Sequence, residues 1–531
     1  MTNQNRCSVP GFDEPPHPVL IRGGRCWIAE AGRPPRFAEA LLLREGRIAA
    51  VGSDEEVRSH PSAAGAEVVE LQGQTVLPGL TDAHAHALYT AQNRNTLDLS
   101  DCASLEEALG RIRRAAESAP RDHWIHGTGF NEASWPESRV PTRQDLDPLG
   151  ISQPVLLTRS CVHVRVGNGE ALRQAGLPHG PEATGVLKEN DAGPLVHAYN
   201  RWVRESGAEE QALEEQLLAW ASCGVTEIHT CGAEDVGVSE NLLAYQKLRS
   251  RGHLPLRVLL YSDQEPSLGM ASGFGDPWLR YGGFKFFLDG SLGGRTAALS
   301  APYADDPATC GQLCWEDAPL FKQARELHAR GIQLQVHTIG DAALDQMIRL
   351  LEDLRRAGPH PLGFRHRVNH AMFCRDDQME RLAELDPVLD IQPAFVPSDL
   401  PMLEDRVGRD RLPWSYRWAD FVRRGFVVTG SSDSPVEPFS PFRGLWAALT
   451  RTTLPGLPEG GFQPQQKLTL DEALGLFTHG PAEAAGERRG RLIPGWAADV
   501  AVCDRDLFSS SPEEIRGARA SALFVGGHRI L

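Results

Sequence analysis

A (β/α)8 barrel, with a small β structure contributed by both chain ends, is the fold this sequence predicts, on three observations. Eight short apolar runs rich in β-branched and aromatic residues recur between Pro78 and about Pro481, with helical patterns between most of them. Polar, chemistry-bearing side chains fall at the C-terminal ends of several runs, where such barrels hold their sites. The two termini, 1–78 and 481–531, instead alternate apolar and polar residues with Gly punctuation, as half-buried strands do.

The runs are TVLPGLTDAHAH (75–86), GVTEIHTCG (224–232), LRVLLYSD (256–263), YGGFKFFLDGS (281–291), IQLQVHTIGD (332–341), RHRVNHAMF (365–373), VLDIQPAF (388–395) and FVVTGSSDSP (426–435). Among the helices between them, DAALDQMIRLLEDLRRAG (341–358) is the clearest. Leu344, Met347, Ile348, Leu351 and Leu354 share one face, and Gly358 stands where a helix C-terminal glycine belongs. PLFKQARELHARG (319–331) and EEQLLAWASCG (214–224) follow the same pattern. EPSLGMASGFGDPWLR, after the third run, carries too many Gly and Pro residues for a well-marked helix. The first run is followed by about 98–205, far beyond a normal connection. It holds a helix, SLEEALGRIRRAAES, and the strands HWIHGTGF and QPVLLTRSC, so an inserted subdomain or lid is expected there. The end segments VLIRGGRCWI, EALLLREGRIAAVG, AEVVELQ, ADVAVCDRD and SALFVGGHRIL are too short for separate cores, so the two termini should pair into one β-sandwich. The barrel domain is then 79–480.

Composition narrows the function. A formal charge of −16 over 531 residues opposes nucleic-acid and anionic-membrane partners. No apolar run nears the roughly 20 residues of a membrane span, and the polar N-terminus has no secretory h-region. Ten scattered cysteines, with only a lone C-x3-C at Cys310 and Cys314, fit reduced thiols in a cytoplasmic protein. A small-molecule substrate is the expected partner, and a homodimer is left open.

In an extended strand residues i and i+2 share a face, so His84 and His86 project together. Two imidazoles alone do not make a metal site, which needs three or more ligands. The other runs offer Lys285 on the fourth, His337 on the fifth, His370 on the sixth and Asp433 on the eighth. His229 ends the second run, facing either the substrate or the packed interior. Arg295, just after the fourth run, would bind an anionic substrate group or a structural carboxylate. The serines of SSDSP lack the His–acid pattern of a nucleophile.

Through these motifs the chain resembles the amidohydrolase superfamily, and within it the branch called amidohydrolase family 3, which takes in YtcJ-like proteins and N-substituted formamide deformylase. The likeness runs end to end, through LIRGGRCWIAE, PGLTDAHAH, GFKFFLDGSLGGRTAAL, VHTIGDAALD, RVNHAMF, SSDSPVEPFSPF and GRLIPGWAADVAVCDRDLF. It implies a distorted (β/α)8 TIM barrel, a β-sandwich from both termini and a hydrolytic site with one or two divalent metal ions, zinc by expectation. By the same resemblance His84 and His86 bind the more buried metal, Lys285 is carboxylated and bridges, His337 and His370 bind the second ion, and Asp433 touches metal and moves protons. His163 would lie near the pocket, and Trp135 would line it from the insertion. One departure stands out: Asn369 occupies a position that is usually acidic. The implied activity is hydrolysis of a non-peptide C–N bond, in an amide, formamide or cyclic amide, by metal-bound hydroxide with Asp433 as general base. An esterase or lactonase on the same site is the near alternative, and a non-catalytic binding protein the further one.

Overall fold

The computed structural model describes residues 15–29, 35–94, 96–132, 135–159, 164–231, 238–266 and 269–531. Eight strands form one parallel sheet in chain order: Leu80–Ala85, Val225–Cys231, Arg257–Ser262, Leu279–Phe287, Gln333–Thr338, Arg367–His370, Val388–Ile391 and Val427–Gly430. Most are buried along their whole length, as parallel strands covered by helices must be. All eight predicted runs supply a barrel strand. The last strand shares no ladder with the first, and the ring is nearly closed. At its C-terminal edge the gap is bridged by backbone: the Asp433 N–H donates to the His84 carbonyl and the His86 N–H to the Ser434 carbonyl, each at 2.8 Å. The same two hydrogen bonds hold the backbone of three candidate ligands, His84, His86 and Asp433, side by side.

The first predicted run divides. Thr75–Pro78 belongs to the terminal sheet and Leu80–Ala85 to the barrel. Gly79 is the joint, and a Cβ there would sit 2.2 Å from Thr226 Oγ1, so only glycine fits. The helix Asp341–Ala357 buries Leu344, Met347, Ile348, Leu351 and Leu354, the predicted face. Gly358 ends it at φ 121°, a conformation that disfavours side chains. Among the described residues between the third and fourth strands there is no helix, in keeping with the Gly and Pro found there.

The termini meet in one mixed eight-stranded sheet. Val19–Trp27 runs antiparallel to Phe37–Arg44 and parallel to Glu67–Glu70 and Thr75–Pro78. Val500–Cys503 joins Thr75–Pro78 antiparallel, followed by Ala520–Val525 and His528–Arg529. Leu41, Val76, Val500 and Phe524 share its core, so neither end buries its apolar face alone. The two halves meet through a shared ladder rather than as separate hydrogen-bonded sheets.

The insertion, Leu88–Gln216, is a compact unit of its own, somewhat longer than the predicted 98–205. Its five-stranded sheet runs Val186–Lys188, Val164–Gly167, Val155–Arg159, Ile125–Phe130, Thr96–Asp98. The predicted helix spans Leu105–Ser118, capped by the Ser104 hydroxyl, which accepts the Glu107 N–H. No helix among the described residues is long and apolar enough to cross a membrane. The cysteines among them are unpaired.

Candidate metal centre

Parallel strands present their last residues at one rim, and here that rim carries the histidines. His84 ends the first strand region, and Nε2 of His84 and of His86 lie 3.2 Å and 3.4 Å from Oδ1 of Asp433. That oxygen is buried and makes no well-formed hydrogen bond. Burial alone would raise the Asp433 pKa, but the His84 and His86 imidazoles beside it hold it well below the usual carboxylate range. An anion is thus kept dry among ring nitrogens. Ligand atoms of His84, His370 and Asp433 all fall within 4.8 Å of one another, close enough to share one ion.

The fifth and sixth strands add a second argument. His337 Nε2 faces the Gly290 carbonyl at 3.1 Å, so Nε2 carries the hydrogen and Nδ1 a lone pair. His370 Nδ1 faces Gln392 Oε1 at 2.8 Å. The Gln392 amide is oriented because its Nε2 donates to Ser431 Oγ, whose own hydroxyl donates to the Ile391 carbonyl. His370 therefore bears its hydrogen on Nδ1. Two lone-pair nitrogens, His337 Nδ1 and His370 Nε2, then face each other at 2.9 Å. Such a pair repels unless a cation lies between or beside it. A proton is a poor candidate, because burial pushes His337 down to about 4 and His370 well below the ordinary histidine value. The donor set fits a divalent metal of the kind imidazole and carboxylate bind.

Backbone strain marks the same positions. His370, Ala371 and Asp433 hold φ of 74°, 42° and 54°, a region costly for side-chain-bearing residues and common at functional sites. Asp82 anchors the rim from below, accepting from the Ser432 N–H at 2.9 Å, the Ser432 hydroxyl at 2.6 Å and Trp220 Nε1 at 3.1 Å.

Lys285 is 2% exposed, with Nζ 3.3 Å from His84 Nε2. It makes no ion pair with Asp289, whose carboxylate instead accepts the backbone N–H groups of Ala298, Ile339 and Gly340. The structure thus brings together His84, His86, Lys285, His337, His370 and Asp433.

His229 and Arg295 make their contacts elsewhere. His229 is fully buried, with Nε2 3.0 Å from Glu227 Oε1 and Nδ1 accepting from Arg367 Nη1 at 2.9 Å, which makes it part of the barrel's interior network. The residue two further along the strand, Cys231, reaches the site instead, with Sγ 3.5 Å from His84 Nδ1. The two-residue alternation that placed His84 and His86 together points equally to Cys231. Arg295 is spent on an ion pair with Asp305 at 2.9 Å. Trp135 packs in the core of the inserted unit, its Nε1 donating to the Cys102 carbonyl at 2.8 Å, because the indole body is apolar and its one donor is satisfied there. His163 lies outside the described residues.

Several known proteins resemble the chain in sequence and fold. The sequence profile described as "Amidohydrolase family" matches residues 67–530. Putative amidohydrolase YtcJ of Bacillus subtilis is 29% identical over 92% of this chain and 95% of its own length. N-substituted formamide deformylase of Arthrobacter pascens is 26% identical over 92% of this chain and 94% of its own. The crystal structure of an uncharacterized metal-dependent hydrolase from Pyrococcus furiosus superposes with a TM-score of 0.77 at 29% identity, covering 92% of this chain and 99% of that one.

Proposed function

The chain belongs to the amidohydrolase family, and from that premise we propose that it hydrolyses a non-peptide C–N bond in a small amide, formamide or cyclic amide. The observation that carries this reading is the pair of opposed lone-pair nitrogens on His337 and His370, together with the buried Asp433 oxygen that faces His84 and His86. The similarity to a formamide deformylase supports the choice of bond.

His84, His86, Asp433, His337 and His370 would hold one or two metal ions, with Lys285 as a further ligand. When bound, zinc or a similar ion supplies Lewis-acid activation of the carbonyl and of the attacking water. Asp433 Oδ1, kept ionised and dry, takes the proton of that water and hands it to the departing nitrogen, so that an amine rather than an amide anion leaves. The Gly290 carbonyl and Gln392 hold His337 and His370 in the tautomers that leave their facing nitrogens free to act as ligands. Burial lowers the Lys285 pKa and favours its neutral amine. That amine adds to CO2: the Nζ–C bond forms, one Nζ proton leaves, and an anionic carbamate with two ligand oxygens results.

The test is a panel of N-alkylformamides, simple amides, cyclic amides and matching esters, given to protein loaded with Zn2+ or Mn2+. Turnover of C–N substrates in preference to the esters supports the reading. Turnover of esters alone assigns an esterase, and no turnover together with no bound metal points to a binding protein.

A further inference from the structure

We propose that Asn369 is the positioning residue for two ligands at once, holding His84 in its Nδ1–H tautomer and fixing the Nζ of Lys285. The proposal rests on the metal-centre reading above. Its basis is one buried carboxamide whose two ends face opposite chemical demands. Toward the barrel interior lies Asp390 Oδ2, 3.0 Å from the amide nitrogen; toward the rim lie His84 Nδ1 at 2.8 Å and Lys285 Nζ at 3.0 Å, both meeting the amide oxygen. The opposite orientation would set the amide oxygen against a carboxylate oxygen, acceptor to acceptor.

Asp390 enforces that choice because it is an anion. Burial would raise its pKa, but Arg367, donating from Nε at 2.9 Å and Nη2 at 2.7 Å, holds it below the ordinary value. Thr429 adds its hydroxyl. The remaining side of Asp390 takes the Asn369 NH2. The amide oxygen that results can only accept, so the His84 hydrogen sits on Nδ1 and its lone pair on Nε2. That lone pair lies 3.2 Å from Asp433 Oδ1, where a metal would be held; without one, Lys285 Nζ, 3.3 Å from His84 Nε2, is the donor that meets it, and His86 Nε2, 3.4 Å from Asp433 Oδ1, is the donor left for the carboxylate.

Among the described residues, no other group near His84 Nδ1 is placed to do this. Gln335 Nε2, at 3.2 Å, is a donor, and also faces Asp390 Oδ2. The Cys231 thiol is spent on Gln335 Oε1 at 3.1 Å. The same Asn369 oxygen serves Lys285 whether Nζ is an amine or a carbamate, since both retain an N–H. Position 369 therefore calls for an amide. An ionised Asp there would only accept, and would meet Asp390 at the distance the NH2 now occupies. The usual role of a group behind a metal-bound histidine, to set its tautomer and orientation, is filled here by an uncharged relay.

The deciding measurement is the tautomer of His84 in metal-free protein, read from 15N shifts after 15N-histidine labelling and assigned by difference from His84→Gln. The expected state is Nδ1–H. Asn369→Leu keeps much of the volume and removes the acceptor; His84 should then move to Nε2–H, and zinc affinity, measured by chelator competition, should fall by about 10–100-fold. Asn369→Asp should not restore that affinity. An Nε2–H state in the wild type would overturn the proposal, even if the leucine variant does not fold. So would an Asn369→Leu protein that keeps both tautomer and affinity. A wild type that shows Nδ1–H yet binds no zinc would count against the metal reading while supporting the tautomer assignment.

Discussion

His337 Nδ1 and His370 Nε2 lie 2.9 Å apart, each with its other nitrogen already committed to a carbonyl-type oxygen. An arrangement that repels when empty of charge is stabilised when a cation is supplied. Added Zn2+ should therefore raise the melting temperature, and chelation should lower it. By mass action a metal at about 100 times its Kd adds about 2.7 kcal/mol. His370→Ala should remove much of that shift. Elemental analysis finding no metal, together with a melting curve indifferent to Zn2+ and Mn2+, would contradict the site.

Asp433 is the second test. Asp433→Asn keeps the shape and removes the base, so kcat should drop by about 10²–10⁴-fold. Metal content measured alongside separates loss of proton transfer from loss of ligand. A variant that still binds metal and turns over at nearly the wild-type rate would move the proton-transfer role elsewhere.

The pH dependence has a defined sign. The folded-state pKa values of His84 and His337 are depressed, to about 3 and about 4, chiefly by burial. Above the unfolded value of about 6.5 these groups are neutral in both states, and their contribution is constant. As pH falls from about 6.5 toward about 4, the unfolded chain takes up protons that the folded chain refuses, so stability is lost across that window. Metal-free protein should melt lower at pH 5 than at pH 7, by about 1–2 kcal/mol for each such histidine. The metal-induced rise in melting temperature should shrink over the same range, because ligand nitrogens must be unprotonated to bind. A metal-free stability curve flat from pH 7 to pH 5 would show these imidazoles to be far less buried.

Arg295 separates a substrate contact from a surface ion pair. Its guanidinium is paired with Asp305, which also takes Arg406. A solvent-exposed pair of that kind contributes little to stability. Arg295→Ala should then leave kcat/KM for the best substrate within about a few-fold of wild type, because the guanidinium is engaged with Asp305 and not with substrate. A loss confined to anionic substrates would reinstate the anion-binding role.

Much of this architecture was legible in the sequence, because a barrel strand carries its own signal of a short apolar run ended by turn residues. The six rim residues were legible for the same reason: His84, His86, Lys285, His337, His370 and Asp433 lie on or at the end of such runs. Depth within the barrel was not legible. His229 and Cys231 differ by one step along one face, and which of them reaches the rim depends on the irregular register between the first two strands, where the pairing shifts twice. The Arg367–Asp390 pair and the Asn369 relay were equally hidden. Their partners lie on different strands, and nothing local in RVNH or VLDI says that one strand's arginine will neutralise the next strand's aspartate. The joint at Gly79, which splits one apolar run between two sheets, is a contact with Thr226 across the fold.

Lys285 gives the last prediction. A lysine ammonium sealed from water beside His84, 3.3 Å away, would be opposed both by desolvation and by any divalent ion at this centre. Asp289, four residues further along the chain, offers it no ion pair, being engaged with three backbone N–H groups. Carboxylation removes both conflicts, since the charge changes sign and two oxygens are presented at the reach of a long side chain. Mass spectrometry under native conditions, on protein prepared with bicarbonate, should show an added CO2 that is lost on acidification. Lys285→Ala should lose bound metal and activity together. Short carboxylic acids such as acetate or propionate should restore part of both, by supplying the missing oxygens in the space the side chain vacates. If a metal-loaded, active enzyme is found to carry a plain amine at this position, the bridging role is wrong, and Lys285 is left as a neutral hydrogen-bond donor to Asn369.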